Sequence, residues 1–109
     1  MRDRMVLKTI VMKTISMDRY ILESLMVDLV GHDRRPAAFI VYLALTLAVG
    51  TKASGAFSLR DLAAATGLSK TAVQRSVAHL KRRGLITVRA DGPTTAPRYW
   101  LQRPWMRNR

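Results

Sequence analysis

The chain has no cysteine, and its seven acidic residues are set against nineteen lysines and arginines, giving a formal net charge of +12. Without cysteine there is no disulfide framework, no thiolate nucleophile and no Cys-ligated zinc, which fits a reducing cytoplasm. The few carboxylates form no paired arrangement, and no Ser-His-Asp constellation is visible. His32 and His79 have no partner at metal-ligand spacing and read as loop and surface residues. No active site, cofactor or metal is therefore expected. Long apolar runs are also missing. The most apolar stretch, Ala37–Val49, is interrupted only by Thr46 and the Tyr42 hydroxyl, and it is too short to cross a bilayer. The run at the N-terminus is broken by Lys8 and Lys13 and followed by no small-residue cleavage site, so it does not read as a secretory signal. No internal repeat or low-complexity segment is present. The length of 109 residues suits one domain with a modest core.

What is present is concentrated after residue 57. Ser58 can cap a helix by accepting a backbone N–H, and Asp61 three residues on completes an acidic capping box. Phe57 and Leu62 have the spacing of a hydrophobic staple, and Gly67 can end the helix in the left-handed conformation. Ser69 then caps a second helix, with Leu68 and Val73 repeating the staple. Along it Val73, Val77 and Leu80 form one narrow apolar stripe. Lys81, Arg82 and Arg83 fill the last turn, where the helix dipole favours cations, and Gly84 closes it. A capped helix, a glycine turn and a second capped helix match the helix-turn-helix plan.

A hairpin is expected next. In Leu85–Ala90, Ile86 and Val88 alternate with Thr87 and Arg89. Asp91-Gly92-Pro93 signals a turn that Thr94–Pro97 lengthens. In Arg98–Arg103, Tyr99 and Leu101 face one way, and Arg98, Trp100 and Gln102 the other. The pieces Leu62-Ala63-x-x-Thr66-Gly67-Leu68-Ser69, Thr71-Ala72-Val73-x-Arg75 and Leu80-x-x-x-Gly84-Leu85-Ile86 resemble the bacterial winged helix-turn-helix regulators, broadly of the MarR and GntR kind. The resemblance covers roughly the last half of the chain and implies a winged fold and DNA binding. Similar modules occur in plasmid and phage replication proteins, so a replication or partition factor stays open beside a transcription regulator, as does a winged module used for protein–protein contact. The charge agrees with a nucleic-acid partner. Residues 58–109 carry eleven Lys/Arg and two acids, net +9, whereas residues 1–57 carry eight and five, net +3.

The first half reads differently. Residues 1–16 fit helix or strand equally, and methionines at 5, 12 and 17 leave the natural start open. Asp18–Val30 has a wide apolar face of Ile21, Leu22, Leu25, Met26, Leu29 and Val30, and Gly31 and His32 should break it. Glu23 and Asp28 are solvated charges off that face, while Tyr20 and Tyr42 belong to the core. Asp33 is placed to cap a third helix with Pro36 near its start, running through Val49. Gly50–Ala56 is a loop, with Phe57 and its neighbours able to add a short strand to the wing.

The expected fold class is thus mainly α with a small β-hairpin (α+β): a winged helix-turn-helix with an extra N-terminal helix. The expected division is an arm and helix over 1–32, the DNA-binding domain over 33–104, and a basic tail over 105–109. A minimal winged domain does not need the helix at 18–30. It packs either on its own domain or on a second copy, and a homodimer through Ile21, Leu22, Leu25, Met26 and Leu29 is the favoured expectation, because paired readers bind two half-sites. Double-stranded DNA is the expected partner. Helix 69–83 would read the major groove with Thr71, Gln74 and Arg75 at base edges. Ser58, Arg60, Ser69, Lys70 and Arg82 would meet the backbone, and Arg89, Thr94, Thr95 and Arg98 would brace it from the wing.

Overall fold

A computed structural model describes residues 14–106. Its first helix, α1, is wound in two wide segments, Ile21–Leu25 and Val27–His32. Their hydrogen bonds step back five residues, from the Met26 N–H to the Ile21 carbonyl and from the Asp33 N–H to the Asp28 carbonyl. The expected break at Gly31 therefore does not occur. The helix runs through His32 and unwinds only at Asp33–Arg35, where the Arg35 N–H reaches back to the Leu29 carbonyl at 2.7 Å and Arg34 takes a positive φ of 56°.

Helix α2, Pro36–Val49, follows with proline in its first turn, where the missing N–H costs nothing. Its cap residue is Arg35, and no side chain caps it. Asp33 does not serve as the expected cap, because other groups occupy its carboxylate. Seven residues of α2 are buried, from Ala38 to Val49. Strand β1, Gly55–Ala56, leads into α3, Leu59–Thr66, and α4, Lys70–Arg82. Strands β2, Ile86–Arg89, and β3, Arg98–Leu101, complete a sheet of order β1-β3-β2, antiparallel throughout. The small strand foreseen near Phe57 is β1.

The junctions have the local chemistry that their residues suggest. Ser58 Oγ accepts from the Asp61 N–H at 3.0 Å, and Asp61 Oδ2 accepts from the Ser58 N–H at 2.9 Å, a complete capping box. Gly67 adopts φ 82° at the end of α3, and Gly84 adopts φ 70° after α4. Thr66 adds a second fastening that the sequence motifs do not announce. Its hydroxyl donates to the Leu62 carbonyl at 2.7 Å and accepts from the Leu68 N–H at 3.1 Å, tying the end of α3 to the turn. In the hairpin, Ile86 lies opposite Leu101 and Val88 opposite Tyr99, while Thr87 pairs with Trp100 and Arg89 with Arg98 on the other face. These are a winged helix domain's parts in a winged helix domain's order, preceded by α1.

One core joins them. Ile21, Leu25 and Leu29 of α1 lie in the same cluster as Val41, Tyr42 and Leu45 of α2, Leu62 of α3, Val73 and Leu80 of α4, and Ile86 and Tyr99 of the sheet. This revises the expected dimer seam. Ile21, Leu25 and Leu29 are between 0 and 2 % exposed within their own domain, so they are closed to a second copy. Leu22, Met26, Val27 and Val30 form the outer face, all exposed. The other end of the chain folds back onto the start of α1. Trp105 stacks on Tyr20 with ring centroids 4.6 Å apart, and its indole N–H donates to Asp18 at 2.8 Å.

The packing of α1 can be measured. Leu29→Ala removes a fully buried side chain and should cost about 2–5 kcal/mol of stability in urea denaturation. Leu47→Ala, on the exposed side of α2, should stay within about 0.5 kcal/mol. Equal effects would mean that α1 does not share the core.

Candidate nucleic-acid interface

Helix α4 is amphipathic by construction. Val73, Ser76 and Leu80 are buried and Val77 half-buried, which turns Lys70, Thr71, Gln74, Arg75, Ala78, Lys81 and Arg82 to solvent. Ser69 starts the helix by accepting the Ala72 N–H at 3.0 Å. The three residues expected to read bases, Thr71, Gln74 and Arg75, thus stand on one exposed face in its first half. Among the described residues no carboxylate pairs with Lys70 or Arg75.

One flank of α4 opens into a groove of about 670 Å³ between the helix starts and the wing loop. Ser58, Arg60 and Lys70 form one wall, and Thr94 and Thr95 stand on the other. Five residues expected to touch DNA are therefore gathered around one concavity, although they come from three separate elements. The groove carries two cationic side chains and no carboxylate. Its backbone support is the start of α3, where the Asp61 carboxylate is engaged by the Ser58 N–H in the capping box.

The outward wing positions are less uniform. Arg89 and Arg98 are directly opposed across the strands. Each is held away from simple cation–cation contact. Arg89 Nε donates to Asp91 at 3.1 Å, an exposed pair, and Arg98 donates to Ser54 Oγ at 2.9 Å. Asp91 partly neutralises Arg89, a compensation hidden behind its plain turn signal. Among the described residues no carboxylate pairs with Arg98, which keeps its hydrogen bond to Ser54. Neither lines the groove, whereas Thr94 and Thr95 do.

On the opposite flank, α4 is tied to the corner between α1 and α2. The Asp33 side chain, 7 % exposed, accepts from His32 Nδ1 at 2.9 Å, from His79 Nε2 at 2.8 Å and from Arg83. Hydrogen bonds from His32 and then His79, with the Arg83 charge, hold the Asp33 carboxyl at about 2, against burial, which pushes it up. His79 is correspondingly not the lone surface histidine that its sequence context suggested. Its partner lies 46 residues away. Beyond it, Arg35, Arg75 and Arg82 surround a cleft of about 400 Å³ with Ala78 between them.

Deeper polar groups are structural. The Tyr42 hydroxyl donates to the Gln102 carbonyl at 3.2 Å, and burial pushes its phenol up to about 12. Gln102 also donates to Thr87 Oγ1 at 3.1 Å, fixing the end of the wing to the rest of the sheet. Among the described residues no group of His, Asp and Glu is arranged to hold a metal ion. No described helix is long and apolar enough to cross a membrane.

The Asp33 cluster has a pH signature. Its carboxyl titrates below the ordinary 3.8, so its interactions stabilise the fold fully above that value and are lost as pH falls towards about 2. In thermal melts Asp33→Asn should lower the Tm at neutral pH, and the gap from the parent protein should close along that acid limb. A gap independent of pH would show that Asp33 acts through packing alone.

Residues 44–94 match the model of the MarR family. The matched span runs from the second half of α2 through the helix-turn-helix to the wing loop, a little under half of the chain. Comparison with curated proteins and with solved structures gives no match.

Proposed function

We propose that the chain is a sequence-specific regulator that lays α4 in the major groove of double-stranded DNA and braces it with the wing. The carrying observation is the exposed face of α4: Thr71, Gln74 and Arg75 stand clear of the core beside a cationic groove shared with the wing loop. An α-helix with its side chains is about 10–12 Å across, and the major groove is about 12 Å wide. The first turns of α4 therefore present their side chains to base edges. Gln74 suits the donor and acceptor pair of adenine, Arg75 the two acceptors of guanine, and the Thr71 methyl the thymine methyl. Ser58 and Ser69 spend their oxygens as helix caps but keep their hydroxyl protons, which can be donated to phosphate alongside Arg60, Lys70 and Arg82. Arg98, Thr94 and Thr95 supply the wing contacts, with Arg89 weakened by Asp91.

The test is a salt titration combined with two substitutions. Log affinity should fall linearly with log salt at about 0.9 per neutralised phosphate, so about eight contacts give a slope near −7. Arg75→Ala should cost about 1–3 kcal/mol at its cognate base pair and relax preference there, whereas Arg98→Ala should weaken all sequences alike. A flat salt response would sink the DNA reading. Altered preference in Arg98→Ala alone would exchange the two roles.

The working unit in this reading is a homodimer. Leu22, Met26, Val27 and Val30 form an apolar face that α1 does not use internally, and two linked readers gain effective concentration at adjacent half-sites. Leu22→Lys/Met26→Lys should stay folded, sediment as a monomer and lose affinity for a double site far more than for a half-site. Persistence of the dimer in this variant, or a parent protein that is monomeric throughout, would remove α1 from the interface.

A further inference from the structure

Two positively charged residues of the α1–α2 corner, Arg34 and Arg35, belong neither to the reading face of α4 nor to the wing. Both are exposed, and among the described residues neither forms an ion pair. Arg35 meets Arg75 and Arg82 around the cleft on α4. Arg34 joins Arg35 and Arg75 at an adjoining hollow of about 210 Å³ that reaches Ala72 and Ser76. Four guanidinium groups thus converge beside one helix. The neighbouring carboxylate, Asp33, cannot neutralise them, because His32, His79 and Arg83 already occupy it. Like charges gathered without counter-charge raise the local potential and favour a polyanion.

The corner is also fixed in place. Arg34 holds a left-handed backbone, φ 56°, which an L-residue adopts at a cost and keeps only where its surroundings impose it. They do so here. Asp33 is fastened to α4 through His79 and Arg83, and the Arg35 N–H is fastened to α1 at the Leu29 carbonyl. His79 presents Nδ1 to Arg82 Nη2 at 3.5 Å while its other nitrogen donates to Asp33, which aligns Arg82 with the same cleft. The backbone that carries Arg34 and Arg35, and the Arg82 side chain, therefore keep a set position relative to α4, which places the arginines beside it before an anion arrives.

Position decides which anion. The wing groove meets α4 at Lys70, whereas the corner hollow with Arg34 and Arg35 meets it at Ala72, Arg75 and Ser76, on the other side of the face that carries Thr71. A helix that fills the major groove has the phosphates of one strand along one side and those of the second strand along the other. We propose that Arg34 and Arg35, with Arg82, form a second phosphodiester-binding site that grips the strand opposite the wing. This rests on α4 being the groove helix. It makes the contact to DNA two-sided and assigns the corner a role that the helix-turn-helix and wing do not supply.

The experiment uses the full chain and a short mixed-sequence duplex, with affinity followed by fluorescence anisotropy across a potassium chloride series. Arg34→Ala/Arg35→Ala should reduce the salt slope by about 0.9 for each phosphate no longer neutralised, about 1.8 per protomer, with an unchanged melting curve. Arg35→Gln, which keeps most of the side chain's apolar stem, should reduce it by about 0.9 and serves if the double variant folds poorly. Arg19→Ala removes an equal charge from the exposed pair with Glu23 on the far end of α1 and should leave the slope near that of the parent. If the corner variants keep the parent slope while Arg98→Ala lowers it, the second site is refuted and the groove reading stands. An Arg19→Ala effect as large as that of Arg35→Gln would also refute it, by showing that only net charge matters. A parent protein with a flat salt response would overturn both readings together.

Discussion

Helix α2 is apolar on almost every side, and the rest of the domain is arranged to cover most of it, leaving Ile40 and Leu47 outward. Burying a large aliphatic or aromatic side chain is worth about 1.5–3 kcal/mol, and α2 buries seven residues along its length. Its neighbours are α1, α3, α4 and β3. The helix-turn-helix alone could not cover it, which gives α1 a physical purpose: the Ile21, Leu25 and Leu29 stripe closes a side of α2 left open by the module. The few polar groups of α2 are satisfied without water. Thr46 donates to the Tyr42 carbonyl at 2.9 Å, and Tyr42 reaches the Gln102 carbonyl, so the central helix also anchors the end of β3. Position and tilt of α4 then follow from packing, and the direction of its exposed face follows from position.

How much of this could be read from the sequence depended on the range of each interaction. The capping box at Ser58 and Asp61, the glycines at 67 and 84, and the alternation of β2 and β3 are encoded within a few residues, and these were legible. Asp33 was not. An aspartate three residues before Pro36 looks like a helix cap, because sequence shows only its near neighbours. Its actual partners, His79 and Arg83, lie 46 and 50 residues away. The two-sided use of α1 was legible only as an alternative, since a wide apolar face does not reveal which half its own domain takes. Arg34 and Arg35 carried no signal at all. Their meaning comes from the α1–α2 corner resting beside α4. The wide winding of α1 and the left-handed Arg34 set that placement, and neither has a short sequence signature.

Charge is distributed with similar economy. Of the acids near the proposed interface, Asp61 is committed to its capping box, Asp33 to the corner and Asp91 to Arg89. Two of the three brace structure without opposing the cations that face outward, and the third sits on the wing. An exposed pair such as Arg89–Asp91 is worth at most about 1 kcal/mol, so it can open in favour of a phosphate where the buried Asp33 cluster cannot. The difference separates the two kinds of cation in this domain. Arg83 and His79 are spent on holding α4 in place. Arg75, Arg82, Lys70 and Arg98 are the cations that the proposed reading assigns to DNA, and the first group fixes the helix that carries three of them.

The same division explains why an otherwise small module has a corner so firmly fixed. A helix held by apolar contacts alone can roll about its axis, and rolling α4 would exchange the side chains on its exposed face, those that in the proposed reading meet base edges. The Val73, Ser76 and Leu80 stripe, packed against α2, α3 and β2, resists this through apolar contact. Fastening the C-terminal half of α4 to Asp33, and its N-terminal end to the turn through Ser69 and Thr66, adds restraint at both ends and away from that stripe. If α4 reads bases as proposed, readout depends on orientation to within a fraction of a helical turn, and the ion-pair cluster at the corner then contributes to specificity through geometry, with Asp33 itself held by His79 and Arg83.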